Sequence, residues 1–115
     1  MPIAMEVHPE KWSEIAVLFD DGEYSVIAGA YDGTSRRLGE RWNGDGEHPL
    51  GFPNVAGYPV WHVVPTFLEG PILHAILEEL ARNPGGQIGN NAPDAVLREL
   101  RTVVAERERR VGAGE

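Results

Sequence analysis

Arg41, Trp42, Asn43, Phe52, Tyr58, Trp61 and His62 concentrate the binding chemistry of this chain in one stretch, RWNGDGEHPLGFPNVAGYPVWHVVP, residues 41–65. Trp, Tyr and Arg anchor protein interfaces because each joins a large contact area to a polar handle. The stretch holds two of the three tryptophans and four of the nine prolines, so it needs particular backbone angles and a surface for its rings to pack on. Two uses of these residues are open. Arg41-Trp42-Asn43-Gly44 and Gly51-Phe52-Pro53 form a recognition loop, or Trp42 and Phe52 plug the core while Arg41 pairs with an acid. His62 and His74 either share a pocket with Trp42 or Tyr58, where an imidazole titrates near neutrality, or sit apart at the core edge.

Catalytic patterns are not found. The chain has no cysteine, which removes thiolate chemistry and a disulfide framework. Ser13, Ser25 and Ser35 stand in no G-x-S-x-G elbow, and Gly29, Gly33 and Gly39 make no phosphate-binding fingerprint. Glu40 and Glu47 flank Trp42 as acids flank an aromatic platform in sugar sites, but that match is generic. No two of the four histidines stand at the i, i+4 spacing of a helical metal site. Asp20, Asp21, Asp32 and Asp45 lie in turns without the alternating oxygen ligands of a calcium loop. We therefore expect no catalytic residue, no metal and no cofactor.

The charge balance narrows the partner. Net charge is −8, and it resides in the body of the chain: residues 1–93 carry 13 acidic and 5 basic side chains, whereas residues 94–115 carry 5 of each. Such a body repels nucleic-acid phosphate, whose binding relies on Lys and Arg displacing counterions. It suits either solubility or a basic protein partner, with Asp20, Asp21, Asp32 and Asp45 as steering charges. Arg98, Arg101, Arg107, Arg109 and Arg110 alternate with Glu99, Glu106 and Glu108, which reads as a solvated helix face. No run approaches the ~20 apolar residues of a membrane span, and MPIAMEVHPEKW lacks a basic-then-apolar leader. A cytoplasmic protein that binds neither nucleic acid nor membrane is expected.

The elements that would position these residues follow from periodicity. Residues 2–7 alternate like a short strand, and 9–13 read as a turn or loop, with Trp12 as a lid on the core edge. Two apolar runs, 15–19 and 24–31, flank Asp20-Asp21-Gly22-Glu23, which is hairpin chemistry. Apolar residues on both faces suggest a central strand, and Gly29 inside the run marks a bulge or a close approach. Residues 38–42 alternate as a third strand; residues 43–59 have no period; residues 60–64 form a strand between prolines. Thr66 with Glu69 resembles a capping box, but Gly70-Pro71 should delay the main helix to 71–82. A linker over 84–91 leads to a helix over 93–109, which could pack on the sheet or form a homodimer, and the tail 112–115 is expected to be disordered. The fold class is α+β: one domain over 1–111, an antiparallel sheet of three to five strands covered on one face by two C-terminal helices.

The pattern Arg41-Trp42-Asn43-Gly44, Gly51-Phe52-Pro53, Gly57-Tyr58-Pro59-Val60-Trp61 and Val63-Val64-Pro65, followed by Ile72-Leu73, resembles a set of small uncharacterised bacterial proteins over about residues 24–80. The resemblance implies a bacterial origin and a self-contained fold, and it transfers no catalytic residue. The expected function is a non-catalytic acidic protein-interaction module, an inhibitor or immunity-type protein for a basic partner. The alternative is a small-molecule-binding or weakly hydrolytic domain with a pocket under the 43–59 loop, using Trp42, Tyr58, Trp61 and His62.

Overall fold

The structure, a computed structural model, describes residues 9, 11–33, 36–83 and 96–105. The strand expected over 2–7, the linker 84–91 and the tail 112–115 lie outside the described residues. In chain order the elements are β1 (Trp12–Asp20), β2 (Tyr24–Tyr31), β3 (Arg36–Trp42), β4 (Asn54–Val55), β5 (Tyr58–Pro59), β6 (His62–Val63), α1 (Thr66–Arg82) and a second helix, α2, over 96–105. β1, β2, β3 and β6 form one antiparallel sheet in that order, and β4 and β5 form a separate hairpin. This is the expected α+β architecture.

The first hairpin forms where Asp-Gly chemistry places it. Gly22 adopts φ 93°, and Asp21 Oδ1 accepts the Glu23 and Tyr24 amides at 2.9 Å each. Register then assigns the faces. Tyr24, Val26 and Ala28 pair with Trp42, Glu40 and Leu38, while Ile27 pairs with Gly39. On the helix side, Leu18, Phe19, Val26, Ala28, Leu38 and Val64 pack against Leu73, Ile76 and Leu80 of α1 and Val96 and Val103 of α2. On the opposite side, Trp12, Ile27 and Trp61 form a smaller cluster. Trp12 therefore opens β1 as a buried strand residue, where a lid in a turn or loop was expected.

Both glycines inside strands are sites of close approach. A Cβ on Gly29 would lie 3.1 Å from Ser13 O, beside the irregular pairing between Ser13 and Ala16. A Cβ on Gly39 would meet Trp61 Cβ at 3.0 Å and Trp12 Cη2 at 3.1 Å. The bare backbone at Gly39 is what lets two indoles lie over β3.

Three local expectations are corrected. α1 runs unbroken through Gly70-Pro71. Pro71 removes only the bond to the Phe67 carbonyl, which lies in the exposed first turn, and Gly70 offers no Cβ to the proline ring. Thr66 and Glu69 make no capping box: Glu69 turns inward, where its carboxylate accepts the Leu38 amide (3.3 Å) beside Arg37 (3.9 Å). The strand over 60–64 shrinks to His62–Val63: Val60 donates its amide to Pro53 O (3.2 Å), next to the β4–β5 hairpin formed by Asn54–Val55 and Tyr58–Pro59, rather than to β3. Its Ala56-Gly57 turn takes φ 51° and 81°, the mirror-image turn geometry that two-residue hairpins favour.

α2 is fixed to the sheet by Arg36, whose Nε and Nη2 donate to Glu99 Oε1 at 3.0 and 2.7 Å. Val96, Leu100 and Val103 of its apolar stripe face the core, leaving Leu97 and Val104 exposed.

Replacing Gly39 with Val should lower unfolding stability by about 1–3 kcal/mol through overpacking against Trp61, Ile27 and Trp12. Urea unfolding checks this, and an unchanged midpoint would contradict the close approach.

Candidate interaction groove around Trp42

After β3 the chain leaves the sheet and returns at Phe52. Trp42 N donates to Phe52 O (2.7 Å) and Phe52 N donates to Trp42 O (2.9 Å), so residues 43–51 form a closed loop. Inside it, Asp45 N and Gly51 N both donate to His48 O at 3.0 Å. Asp45 Oδ1 accepts the His48 and Glu47 amides at 2.7 and 2.9 Å. Those two amides, in that order, hold the Asp45 carboxyl below its usual range, and the adjacent His48 imidazole adds to the effect. A lowered carboxyl supports the loop above the ordinary carboxylate range and ceases to as pH falls through the lowered value. Gly44 and Gly51 adopt φ 109° and 66° and touch backbone to backbone; a Cβ on Gly51 would overlap the Trp42 carbonyl.

The underside of the loop rests on two buried side chains. Asn43 N donates to Glu23 O (2.7 Å), its Oδ1 accepts Ser25 Oγ–H (2.7 Å), and its Nδ2 donates to Asp20 Oδ1 (3.0 Å). Asp20 Oδ1 also accepts the Gly22 amide (2.9 Å), so this network joins the β1–β2 turn to the loop. Arg41 is 1% exposed, and its Nη2 donates to the Leu50 carbonyl and, at 3.3 Å, to the Trp42 carbonyl. Its Nε and Nη1 make no hydrogen bond, and its Cζ lies 6.0 Å from the Trp61 ring centroid. Burial pulls its pKa down. The expected Arg41–acid pair is replaced by carbonyls, because a tight loop has acceptors without donors of its own.

With Arg41 and Asn43 pointing inward, Trp42 and its cross-bridge partner Phe52 point outward. They are 58% and 51% exposed, so neither plugs the core. Trp42 leans on Tyr24 (centroids 5.0 Å apart, 55° between planes), and Phe52 leans on His48 (5.2 Å). Trp42 forms the ridge between two grooves. The larger, about 650 Å³, lies between the sheet and α1; its floor is Phe19, Ile72 and Ile76, and its charged groups are Asp21, Glu23, Glu40 and Glu79. The smaller, about 320 Å³, is lined by Glu23, Asp45, His48 and Phe52. No Lys or Arg lines either groove among the described residues. Burial, and then the Glu40 charge, push the Tyr24 phenol up to about 12, so it stays protonated.

Of the residues singled out from sequence, the structure brings together Trp42 and Phe52 at the grooves, with Arg41 and Asn43 beneath them as positioning residues. Trp61 is buried on the opposite side of the sheet. Tyr58 is exposed on the β4–β5 hairpin, and His62 is exposed on β6. His74 is also exposed, on α1, and lines neither groove. Asp20 is buried, and Asp32 turns at the far end of β2, so neither is a groove charge. Tyr24, Glu23 and Glu79 were missed, and Glu40 was read only with Glu47 as a generic acid pair flanking Trp42. Counting outward from the Asp32-Gly33 turn would have paired Tyr24 with Trp42; no sequence signal brings Glu79 there.

Fold and groove together define a small α+β protein with an open cleft lined by carboxylates and aromatic rings. No protein-family model, curated protein or solved structure matches the chain.

Asn43→Ala should cost about 1–3 kcal/mol in urea unfolding, because it strips the buried Ser25 and Asp20 of a shared partner. An unchanged midpoint would show that the network does not hold the loop. In a spectrophotometric titration, Glu40→Gln should lower the Tyr24 phenol partway from about 12, leaving the larger contribution of burial. No movement would remove Glu40 from the groove wall. Since the raised value means that the folded state retains the proton, stability should fall as pH climbs above the ordinary tyrosine value of 10.0.

Proposed function

We propose that this chain is a non-catalytic acidic interaction module that holds a basic protein through the Trp42 groove, as an inhibitor or immunity-type protein does. The observation that carries the reading is an exposed tryptophan on a hydrogen-bonded loop, beside grooves that hold several carboxylates and, among the described residues, no Lys or Arg. A Lys or Arg side chain has the complementary form. Its apolar stem would cover Ile72, Ile76 and Phe19, its head would meet Glu23, Glu40 or Glu79, and the Trp42 face would stack on the cation. A cation–aromatic contact is worth about 0.5–1 kcal/mol exposed and about 2 when water is excluded, so Trp42 rather than any single carboxylate should dominate affinity. The carboxylates should act chiefly on association rate.

A bacterial, cytoplasmic setting accords with this reading and with the cysteine-free composition. Among the described residues, no helix is long and apolar enough to cross a membrane. The alternative pocket built from Trp42, Tyr58, Trp61 and His62 has less support, since Trp42 and Trp61 belong to opposite sides of the sheet.

The test is capture from host lysate at low and high salt, comparing the wild type, Trp42→Ala and a Glu23→Gln/Glu40→Gln/Glu79→Gln variant. One basic protein should be retained at low salt and released at high salt. Trp42→Ala should weaken its binding by about tenfold or more, and the triple variant should slow association while leaving dissociation nearly unchanged. Binding insensitive to salt and to both variants would refute the reading.

A further inference from the structure

The opposite side of the sheet carries a second concavity of contrasting chemistry. It holds about 420 Å³, and its lining among the described residues is Pro9, Lys11, Trp12, Tyr31, Val55, Val60 and Trp61. Its construction is specific. Gly39 lets Trp61 and Trp12 lie over β3, and Trp12 meets Tyr31 at 5.2 Å with 56° between the rings. The β4–β5 hairpin forms the outer lip, pinned by Val60 N donating to Pro53 O at 3.2 Å. That hairpin leaves Val55 exposed at the rim, although a valine normally seeks cover. The volume lies within the range of pockets that enclose small molecules, about 300–1,000 Å³.

The one charged side chain in that lining is Lys11, the only lysine of a chain with net charge −8. Lys11 is exposed, and its ammonium makes no ion pair or hydrogen bond among the described residues. We infer that this pocket binds a small aromatic carboxylate: a flat ring between the Trp12, Tyr31 and Trp61 walls, with its carboxylate on Lys11. The ring is selected by aromatic walls, which favour stacked and edge-on partners over aliphatic chains. The negative charge is selected because Lys11 has no partner among the described residues to give up. The Trp42 groove, lined by Asp21, Glu23, Glu40 and Glu79, repels the same molecule. The two sites thus sort small aromatic molecules by sign of charge, and the inference stands whether or not the groove binds a basic protein.

The three tryptophans make the test internal to one spectrum, since each indole N–H gives its own proton–nitrogen signal. Trp12 and Trp61 report on the pocket and Trp42 on the groove; a Trp42→Phe variant assigns the groove signal. The probes are indole-3-acetate, indole-3-acetamide and tryptamine, which share a ring and carry negative, zero and positive charge. Indole-3-acetate should shift the Trp12 and Trp61 signals saturably and leave Trp42 in place. Indole-3-acetamide should bind the pocket about tenfold more weakly, and Lys11→Met should reduce indole-3-acetate binding by a similar factor, about 1.4 kcal/mol. Tryptamine should move Trp42 instead. No saturable shift of Trp12 or Trp61 up to about 10 mM probe, equal binding of acetate and acetamide, or an affinity unchanged by Lys11→Met would each overturn the inference. Because Lys11 is exposed, its replacement should not perturb folding, and the unchanged dispersion of the free spectrum verifies that.

Discussion

A backbone that leaves a sheet for residues 43–51 and returns at Phe52 must find partners for amides and carbonyls that no helix or strand supplies. In this protein, that requirement is met largely from below. Asn43 ties the loop to the β1–β2 turn through Ser25, Asp20 and Glu23, and Arg41 places a guanidinium under the Leu50 and Trp42 carbonyls. Both side chains are buried. Alternation along an extended chain then leaves Trp42 no inward position. The exposed indole is thus a consequence of what its two neighbours hold, and so is the cleft that opens beside it. The arrangement has an energetic weak point: Arg41 keeps two nitrogens without hydrogen bonds in a buried setting. That desolvation opposes folding, and the loop's closed hydrogen bonds and the Trp61 ring offset part of it.

The sheet separates two chemistries. Toward α1, aromatic rings sit among Asp21, Glu23, Glu40 and Glu79. On the other side, rings sit with Lys11, the one charged side chain in that lining among the described residues. β3 serves both sides at once. Its even positions present Glu40 and Trp42 to the groove, and its odd positions supply Gly39, over which Trp12 and Trp61 pack, and Arg41 under the loop. A one-residue slip of β3 would exchange these roles, so register here decides function as well as stability.

Much of this was legible because it depends on short-range rules. Asp21-Gly22 specifies a hairpin, and Leu38-Glu40-Trp42 a half-buried strand. Gly29 marks a close approach as its place in an apolar run suggests. Several misses depend on neighbours distant in sequence, and others on local backbone detail that residue type alone does not reveal. Pro71 is tolerated because the carbonyl it orphans is exposed, and Glu69 leaves the helix end for Arg37 and the Leu38 amide. Phe52 is exposed because it bridges to Trp42, not because of its own composition. Ala56-Gly57 turns a hairpin that weak local propensity hides, with alanine at a position usually given to Asn or Gly. The groove's fourth wall, Glu79, arrives only when α1 docks.

Amide hydrogen exchange of Trp42, Asn43 and Phe52 tests the central claim most directly, that the loop is a fixed platform held from beneath. These three amides donate to Phe52 O, Glu23 O and Trp42 O within the same network. They should exchange as slowly as the neighbouring β2–β3 ladder and lose that protection together when Asn43 is replaced. Exchange at the rates of an unstructured chain, with β2 and β3 still protected, would contradict the account, because Trp42 would then ride on a moving segment with no defined groove beside it.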